Sequence, residues 1–528
     1  MADKHGITDI NPARPIVPEK ADLVQMEDLD QKVKQLKKEN PYYADFASRG
    51  PEWKASFEKK FVRRIDLRLM PLLILMYLNN FLDRASLAQA RLGGLEEDLG
   101  MSGTDFNLAV SMLFVGYLTM QLPSNLLITR IRPSLYLGCV MSVWGVVCAA
   151  IGGVQSLTGL VVVRVFLGVT EAPFFPGAVF LLSSWYTRSE LSSRIAWLYS
   201  GVALAKMFGG LMGAGILGNM DGDLGLAGWR WLFIINGIIT IFFGVLSIFV
   251  LPNFPTTTKW LSDEQRAFAQ WRLRLDAEED DESEATSLWV GLKLCLTDYR
   301  LYIFILLQHL SILTMTFQYF FPQSCKLWTT TTLPHCCSRL VLFRQIPVIR
   351  NLELTIIWFV AWCAAVLATW TAGRTGDRSI HIMSMLLVSA VGNAIVTGST
   401  NLGARMFGMY LMPIGAVPAF QIIVAWIANS FIRPMVKRSS AIAICNMLGN
   451  CASIWGSYIY PASTAPQYTM GGSINASMCL VVALLAFTLR LVHQRENKKL
   501  ERAEQATAEG KEDSVSGWQM KTGFRYVY

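Results

Sequence analysis

The run Arg164-Val-Phe-Leu-Gly168-Val-Thr-Glu171-Ala-Pro173-Phe-Phe-Pro176-Gly177 sets a guanidinium, a carboxyl and helix-loosening residues inside a stretch apolar enough to cross a bilayer. Ionisable groups are costly in hydrocarbon, so such a pair points to function. Arg164 and Glu171 are seven residues apart, about two helical turns, which puts them on nearly one face and lets both look into a shared cavity. A cation that holds an anion and a carboxyl that carries a proton are the working parts of a transporter. Glu171 would take up or release a proton if Arg164 moved away during a cycle. The bland reading of the same residues is a structural ion pair that locks the helix to a neighbour. His309, in a later apolar run, is a second protonatable group, or a histidine that is merely hydrogen-bonded.

The elements that hold these residues follow from composition. The chain has 528 residues, 52% of them hydrophobic and 16% charged, with a mean hydropathy of +0.36, whereas soluble domains carry about 25% charged residues. This is a polytopic membrane protein. Runs of roughly 20 apolar residues, enough to cross about 30 Å of hydrocarbon, predict about twelve transmembrane helices. Their spans are 67–88, 105–127, 133–154, 158–184, 194–219, 230–251, 299–321, 352–373, 380–398, 405–432, 438–459 and 473–493. The fold class is an all-α membrane protein with two six-helix bundles. Residues 1–66 form an N-terminal tail, 67–251 the first bundle, 252–298 a linker, 299–493 the second bundle and 494–528 a C-terminal tail.

Lysines and arginines concentrate in cytoplasmic loops. Arg130 and Arg132 follow span 2, Arg188 and Arg194 span 4, Arg374 and Arg378 span 8, and Arg433, Lys437 and Arg438 span 10. Both termini are therefore expected in the cytoplasm, in a cell-membrane protein. The net charge of +8 is largely explained this way and carries no argument for nucleic acid. The first 60 or so residues are polar and charged with no apolar run, so no cleavable secretory signal is expected before span 1. The cysteines fall mostly in apolar spans, with no metal-binding or redox spacing, and no cofactor is expected. The linker offers a capping box at Ser262 and Gln265 before a charged surface helix, then the acidic run Asp276–Glu284.

The two halves echo one another. Arg164-Val-Phe recurs as Arg405-Met-Phe with Pro413 and Pro418 beyond it, and Arg130-Ile-Arg132 has a counterpart in Gly373-Arg-Thr-Gly376-Asp377-Arg378. Duplicated transporters carry substrate between their repeats. Span 11 spaces Asn446, Asn450, Ser453 and Ser457 into one polar stripe, which either lines a path or glues helices. Span 5 spaces Gly201, Ala205, Gly209 and Gly213 every four residues, a ridge for close packing, with Lys206 beside it either snorkelling or facing the interior.

Several phrases together resemble the anion:cation symporters of the major facilitator superfamily, and within them the fungal allantoate permease group. They are Asn80-Phe-Leu-Asp83-Arg84 with Ala90-Arg91, Gln121-Leu-Pro123-Ser-Asn125, Arg164 through Gly177, Gly228-Trp-Arg-Trp-Leu-Phe-Ile and Lys259-Trp-Leu-Ser. Lys437-Arg438 with Asn446, Gly449 and Asn450 continue the match, followed by Tyr460-Pro461, Ala465-Pro466-Gln467-Tyr468 and Arg495-Glu-Asn497-Lys-Lys. The resemblance covers roughly 60–320 and 373–500. It implies alternating access and proton-coupled uptake of a small organic anion such as a vitamin or allantoate. It also implies an arginine clamp at Arg84, whose forked guanidinium suits a carboxylate; an Asp83–Arg84 pair anchoring the outer helix end is the alternative. Arg84, Asn80, Asn446 and Asn450 are thus the expected substrate-binding residues, and Glu171, Arg164, Asp83 and His309 the expected proton-coupling ones. The expected partners are the anion, protons and the lipid bilayer, with the protein a monomer. An exporter of a fungal secondary metabolite and a non-transporting nutrient sensor are the competing classes. A membrane enzyme lacks support, because no phosphate loop, His-Glu-x-x-His or nucleophile elbow occurs.

Residues 323–351 depart from the pattern: they are polar and carry Lys326, Arg339, Arg344 and Arg350 on the expected outer side. A frame shift or retained intron in the gene model would account for that, with a real outer insertion the alternative. Asn475-Ala-Ser477 is a glycosylation acceptor close to span 12.

Overall fold

The computed structural model describes residues 40–128, 131–278, 288–321, 347–431, 435–464, 467–508 and 525–528. The atypical segment lies almost wholly outside them. The described residues are helical throughout, and ten helices are long and apolar enough to cross a membrane. In chain order the main elements are α1 (Pro51–Leu92), α2 (Asp105–Ile128), α3 (Pro133–Ile151), α4 (Leu157–Glu171), α5 (Phe174–Ser183), α6 (Arg188–Asn219), α7 (Gly228–Val250) and α8 (Asp263–Glu278). After the linker come α9 (Leu288–Leu296), α10 (Tyr299–Thr314), α11 (Pro347–Thr375), α12 (Arg378–Gly398), α13 (Leu402–Ser430), α14 (Met435–Asn450), α15 (Ala452–Gly456) and α16 (Thr469–Ala508).

Helix ends follow local chemistry. Pro51 and Pro133 sit at first positions, where the missing N–H costs nothing. Ser156 caps α4 by accepting from the Gly159 amide, and Asp377 caps α12 by accepting from that of Ile380. The capping box before α8 forms as expected, Ser262 Oγ accepting from the Gln265 amide at 3.2 Å. Asp298 caps α10; burial would raise its carboxyl, but hydrogen bonds and charge from Arg300 and Lys437 outweigh that and hold it down at about 2.

Some boundaries differ from the expected spans. Span 4 is broken between α4 and α5, because Pro173 and Pro176 cannot donate to the helical ladder. Span 10 keeps one helix through Pro413 and Pro418, since neighbouring helices can satisfy the freed carbonyls. Span 11 is divided at Cys451, and α16 runs on to Ala508.

In the first half α1 packs on α6 and α7, α2 on α4, and α3 on α7; in the second, α12 packs on α13 and α16, and α10 on α14 and α16. The halves meet where α6 lies along α11 and α2 touches α15. Glycines set the closest approaches. A Cβ on Gly145 would come within 2.9 Å of the Gly237 carbonyl oxygen. A Cβ on Gly168 would overlap the Leu113 carbonyl, and one on Gly116 would overlap that of Val165, so α4 and α2 run backbone to backbone. Gly168→Ala is expected to cost about 1–3 kcal/mol through overpacking and to lower the melting temperature of the detergent-extracted protein. An unchanged melting temperature would contradict this contact.

Asn475 is fully buried and donates to the Tyr460 hydroxyl at 2.6 Å and the Thr314 carbonyl at 3.3 Å. The glycosylation sequon is therefore closed to modification in this fold, in keeping with its nearness to span 12.

Candidate functional site

Between the halves lies a cavity of about 1350 Å³, counting its open mouth. Helix α1 lends it Tyr77, Asn80, Phe81 and Arg84, and α6 lends Tyr199 and Lys206. From the second half come Gln318, Trp358, Phe420, Asn446, Asn450 and Ser453. The lining is thus aromatic, with a few polar groups and two cations, the ordinary make-up of a small-molecule site.

Arg84 is the chemical centre of the first-half wall. Its Nε donates to Glu171 Oε2 at 2.7 Å, and its guanidinium lies over the rings of Tyr117 at 4.8 Å, Phe81 at 5.3 Å and Phe114 at 5.7 Å. Glu171 stands behind it, 1% exposed, with Oε1 left without a partner among the described residues. Buried acceptors are rarely left unpaired, and a carboxyl that changes protonation is one resident for whom spare hydrogen-bonding capacity is useful.

The expected cavity for Arg164 and Glu171 is corrected. Both lie on one face of α4, as their spacing requires, but Gly168 between them presses that face onto α2. Arg164 is fully buried there, its Nε donating to the Ala109 carbonyl at 3.2 Å while Nη1 has no partner among the described residues. Glu171 meets Arg84 of α1 instead of Arg164. Neither residue lines the cavity.

Asp83 and Arg84 do not pair at a helix end either. Neighbours on a helix point about 100° apart, and Asp83 turns into the bundle, where Trp144 Nε1 donates to it at 3.1 Å, Thr240 Oγ1 at 3.2 Å and Cys148 Sγ at 3.3 Å. The three donors sit on α3 and α7, the pair brought together by Gly138, Gly145, Gly237 and Gly244. His309 lies away from the cavity, its Nδ1 at 2.8 Å from the Leu448 carbonyl and its ring stacked on Trp455 at 5.7 Å.

The span 11 stripe divides between its two readings. Asn446, Asn450 and Ser453 line the cavity, with Asn450 Nδ2 donating to the Asn446 carbonyl at 2.8 Å. Ser457 instead joins the halves: its Oγ lies 3.0 Å from Ser111 Oγ and donates to the Asn107 carbonyl at 3.2 Å. Beside it Phe106 meets Phe320 at 6.0 Å, and Phe320 stacks on Tyr460 at 4.8 Å. These contacts join the halves near the loops after α1 and α15. Elsewhere Tyr199 meets Phe420 across the seam at 5.9 Å.

Lys206 was left undecided by the sequence; it faces the cavity, hydrogen-bonded to Gln318 Oε1 and 4.9 Å from the centre of the Trp358 ring. Its helix packs on α1 through Gly209 and Gly213, which face Ala85 and Gln89, so a residue beside that ridge is turned toward the same space as Arg84.

A family model described as "Major Facilitator Superfamily" matches residues 73–335. Among curated sequences, the "MFS-type transporter cnsO" of Penicillium expansum is 33% identical over 456 residues, 84% of each chain. The "Major facilitator-type transporter hxnP" of Emericella nidulans is 28% identical over 463 residues, 84% of this chain and 88% of that one. Among solved structures, the xylose transporter XylE from E. coli, in a partially occluded inward-open conformation, aligns with a TM-score of 0.58 at 14% identity, over 80% of this chain and 98% of that one.

Proposed function

The chain belongs to the major facilitator superfamily, a family of membrane transporters rather than enzymes, and on that premise we propose that it is a proton-coupled carrier of a small organic anion working by alternating access. The observation that carries this reading is the Arg84–Glu171 pair, with Arg84 facing the cavity and Glu171 behind it. An ionised Glu171 holds one edge of the guanidinium. When Glu171 is protonated it lets that edge go, and the fork is free to grip a carboxylate. Proton and anion then load together, and Arg84 keeps a partner while the halves rock.

Asn80, Asn446 and Asn450 supply neutral hydrogen bonds to the substrate from the two facing walls. Asn80 lines the cavity with its side chain beside the Glu171 carboxyl, so it can turn between that group and the substrate. Asp83 and Arg164 stand behind the site, out of the cavity, and tie α1 and α4 to their neighbours. In this reading both chain termini are cytoplasmic and the Ser111–Ser457 seam closes the outer end.

Uptake of labelled carboxylates into proteoliposomes, with and without an inward proton gradient, tests the proposal. Accumulation that requires the gradient supports symport. Binding without flux would mark a sensor, and gradient-driven loss of solute from loaded cells would mark an exporter; either result would sink the symport reading.

A further inference from the structure

We propose that Lys206 forms a second anion-binding subsite in the cavity, so that the preferred substrate carries two acidic groups on a flat apolar frame. The inference rests on the organic-anion reading above and narrows its substrate class.

The argument begins with charge. Five charged side chains line or stand behind the first-half wall: Asp83, Arg84, Arg164 and Glu171, which are buried, and Lys206, which is half-buried and faces the cavity. Taken fully ionised, three cations and two carboxylates leave +1, and a proton on Glu171 makes that +2. Neither carboxylate is placed for Lys206: Glu171 bonds Arg84, and Asp83 is held by three neutral donors. No carboxylate reaches Lys206 among the described residues; its ammonium touches a neutral amide and a ring face. A cation in a low-dielectric cavity without a counter-ion is an unfavourable arrangement that an incoming anion relieves. One carboxylate on Arg84 leaves the loaded, protonated site at +1, whereas a dianion reaching both cations brings it to zero.

The frame between the charges follows from the walls. Tyr117, Phe81 and Phe114 surround Arg84, and Trp358 lies under Lys206, so the space between the cations is bounded largely by rings. Ring faces reward a flat partner in offset or edge contact. Position adds a second role. Lys206 is on α6 while Gln318 and Trp358 belong to the other half, so an anion taken by Lys206 would displace Gln318 at the seam itself.

The test is binding to the purified full chain in detergent, by calorimetric titration of benzoate, benzene-1,3-dicarboxylate, benzene-1,4-dicarboxylate and glutarate. The better aromatic dicarboxylate is expected to bind roughly 10- to 100-fold more tightly than benzoate, the range a hydrogen bond to a charged group supports. Lys206→Gln should bring that ratio close to one, and Lys206→Arg should restore most of it, which a merely structural lysine would not do. A wild-type ratio near one, or a ratio that survives Lys206→Gln, overturns the proposal while benzoate binding keeps the organic-anion reading alive. Glutarate binding as tightly as the better aromatic dicarboxylate overturns the flat frame. If none of the four carboxylates binds the wild type, the organic-anion reading falls and this inference with it.

Discussion

Glu171→Gln is expected to abolish gradient-driven accumulation while leaving a folded protein that still exchanges substrate between equal pools. Glutamine has the shape of the acid and keeps an acceptor for Arg84 Nε, now at 2.7 Å from Oε2, but it cannot titrate. Arg84 then has no ionised partner to return to after releasing substrate. Breaking one side of a buried pair carries an effect of about 3–5 kcal/mol, so net uptake should fall on the order of a hundredfold or more. The wild type should accelerate as the outer side is acidified, because loading needs a proton on Glu171; the variant should be flat over the same range. Initial rates in proteoliposomes matched for reconstituted protein measure both. A variant with wild-type stimulation by the gradient would take Glu171 out of the coupling role.

Arg84→Lys is expected to weaken substrate binding by about a hundredfold although the charge is kept. The guanidinium lines the cavity and is bonded to Glu171 through Nε, and release of that bond gives a substrate carboxylate a bidentate edge. An ammonium is a point donor and lacks that second, bidentate edge. It would also lose the planar contact with Tyr117, whose ring centre is 4.8 Å from the guanidinium carbon. The titration used for Lys206 reads this directly, and wild-type affinity in Arg84→Lys would remove the clamp from the mechanism. The two variants separate cleanly: the first alters pH dependence, the second affinity.

Much of the helical framework was legible because apolar runs of membrane length are a strong signal, and the buried charges stood out against them. Which charge faced which was not. Arg84 and Glu171 are 87 positions apart, and only the packing of α4 on α2 through Gly168 decides that Glu171 meets α1. The cradle around Asp83 was hidden for the same reason: Trp144, Cys148 and Thr240 read as ordinary membrane residues until the glycines of α3 and α7 bring the helices together. Prolines were ambiguous without tertiary context, since Pro173 ends a helix whereas Pro413 does not. Lys206 was visible as an oddity, but its direction depended on which neighbour the Gly209 ridge chose.

The seam at Ser111 and Ser457 has a consequence for the energy landscape of turnover. Two hydroxyls, main-chain carbonyls, the edge-on Phe106–Phe320 contact and the Arg91 guanidinium over the Phe320 ring hold it, and no ion pair crosses it among the described residues. Hydroxyl bonds of this kind contribute about 0.5–1.5 kcal/mol each after exchange with water, only a few times thermal energy. Such a clasp opens by fluctuation. An ion gradient acting on this molecule would therefore bias the direction of the cycle rather than force the door, and a single added charge pair across the seam would be enough to slow it.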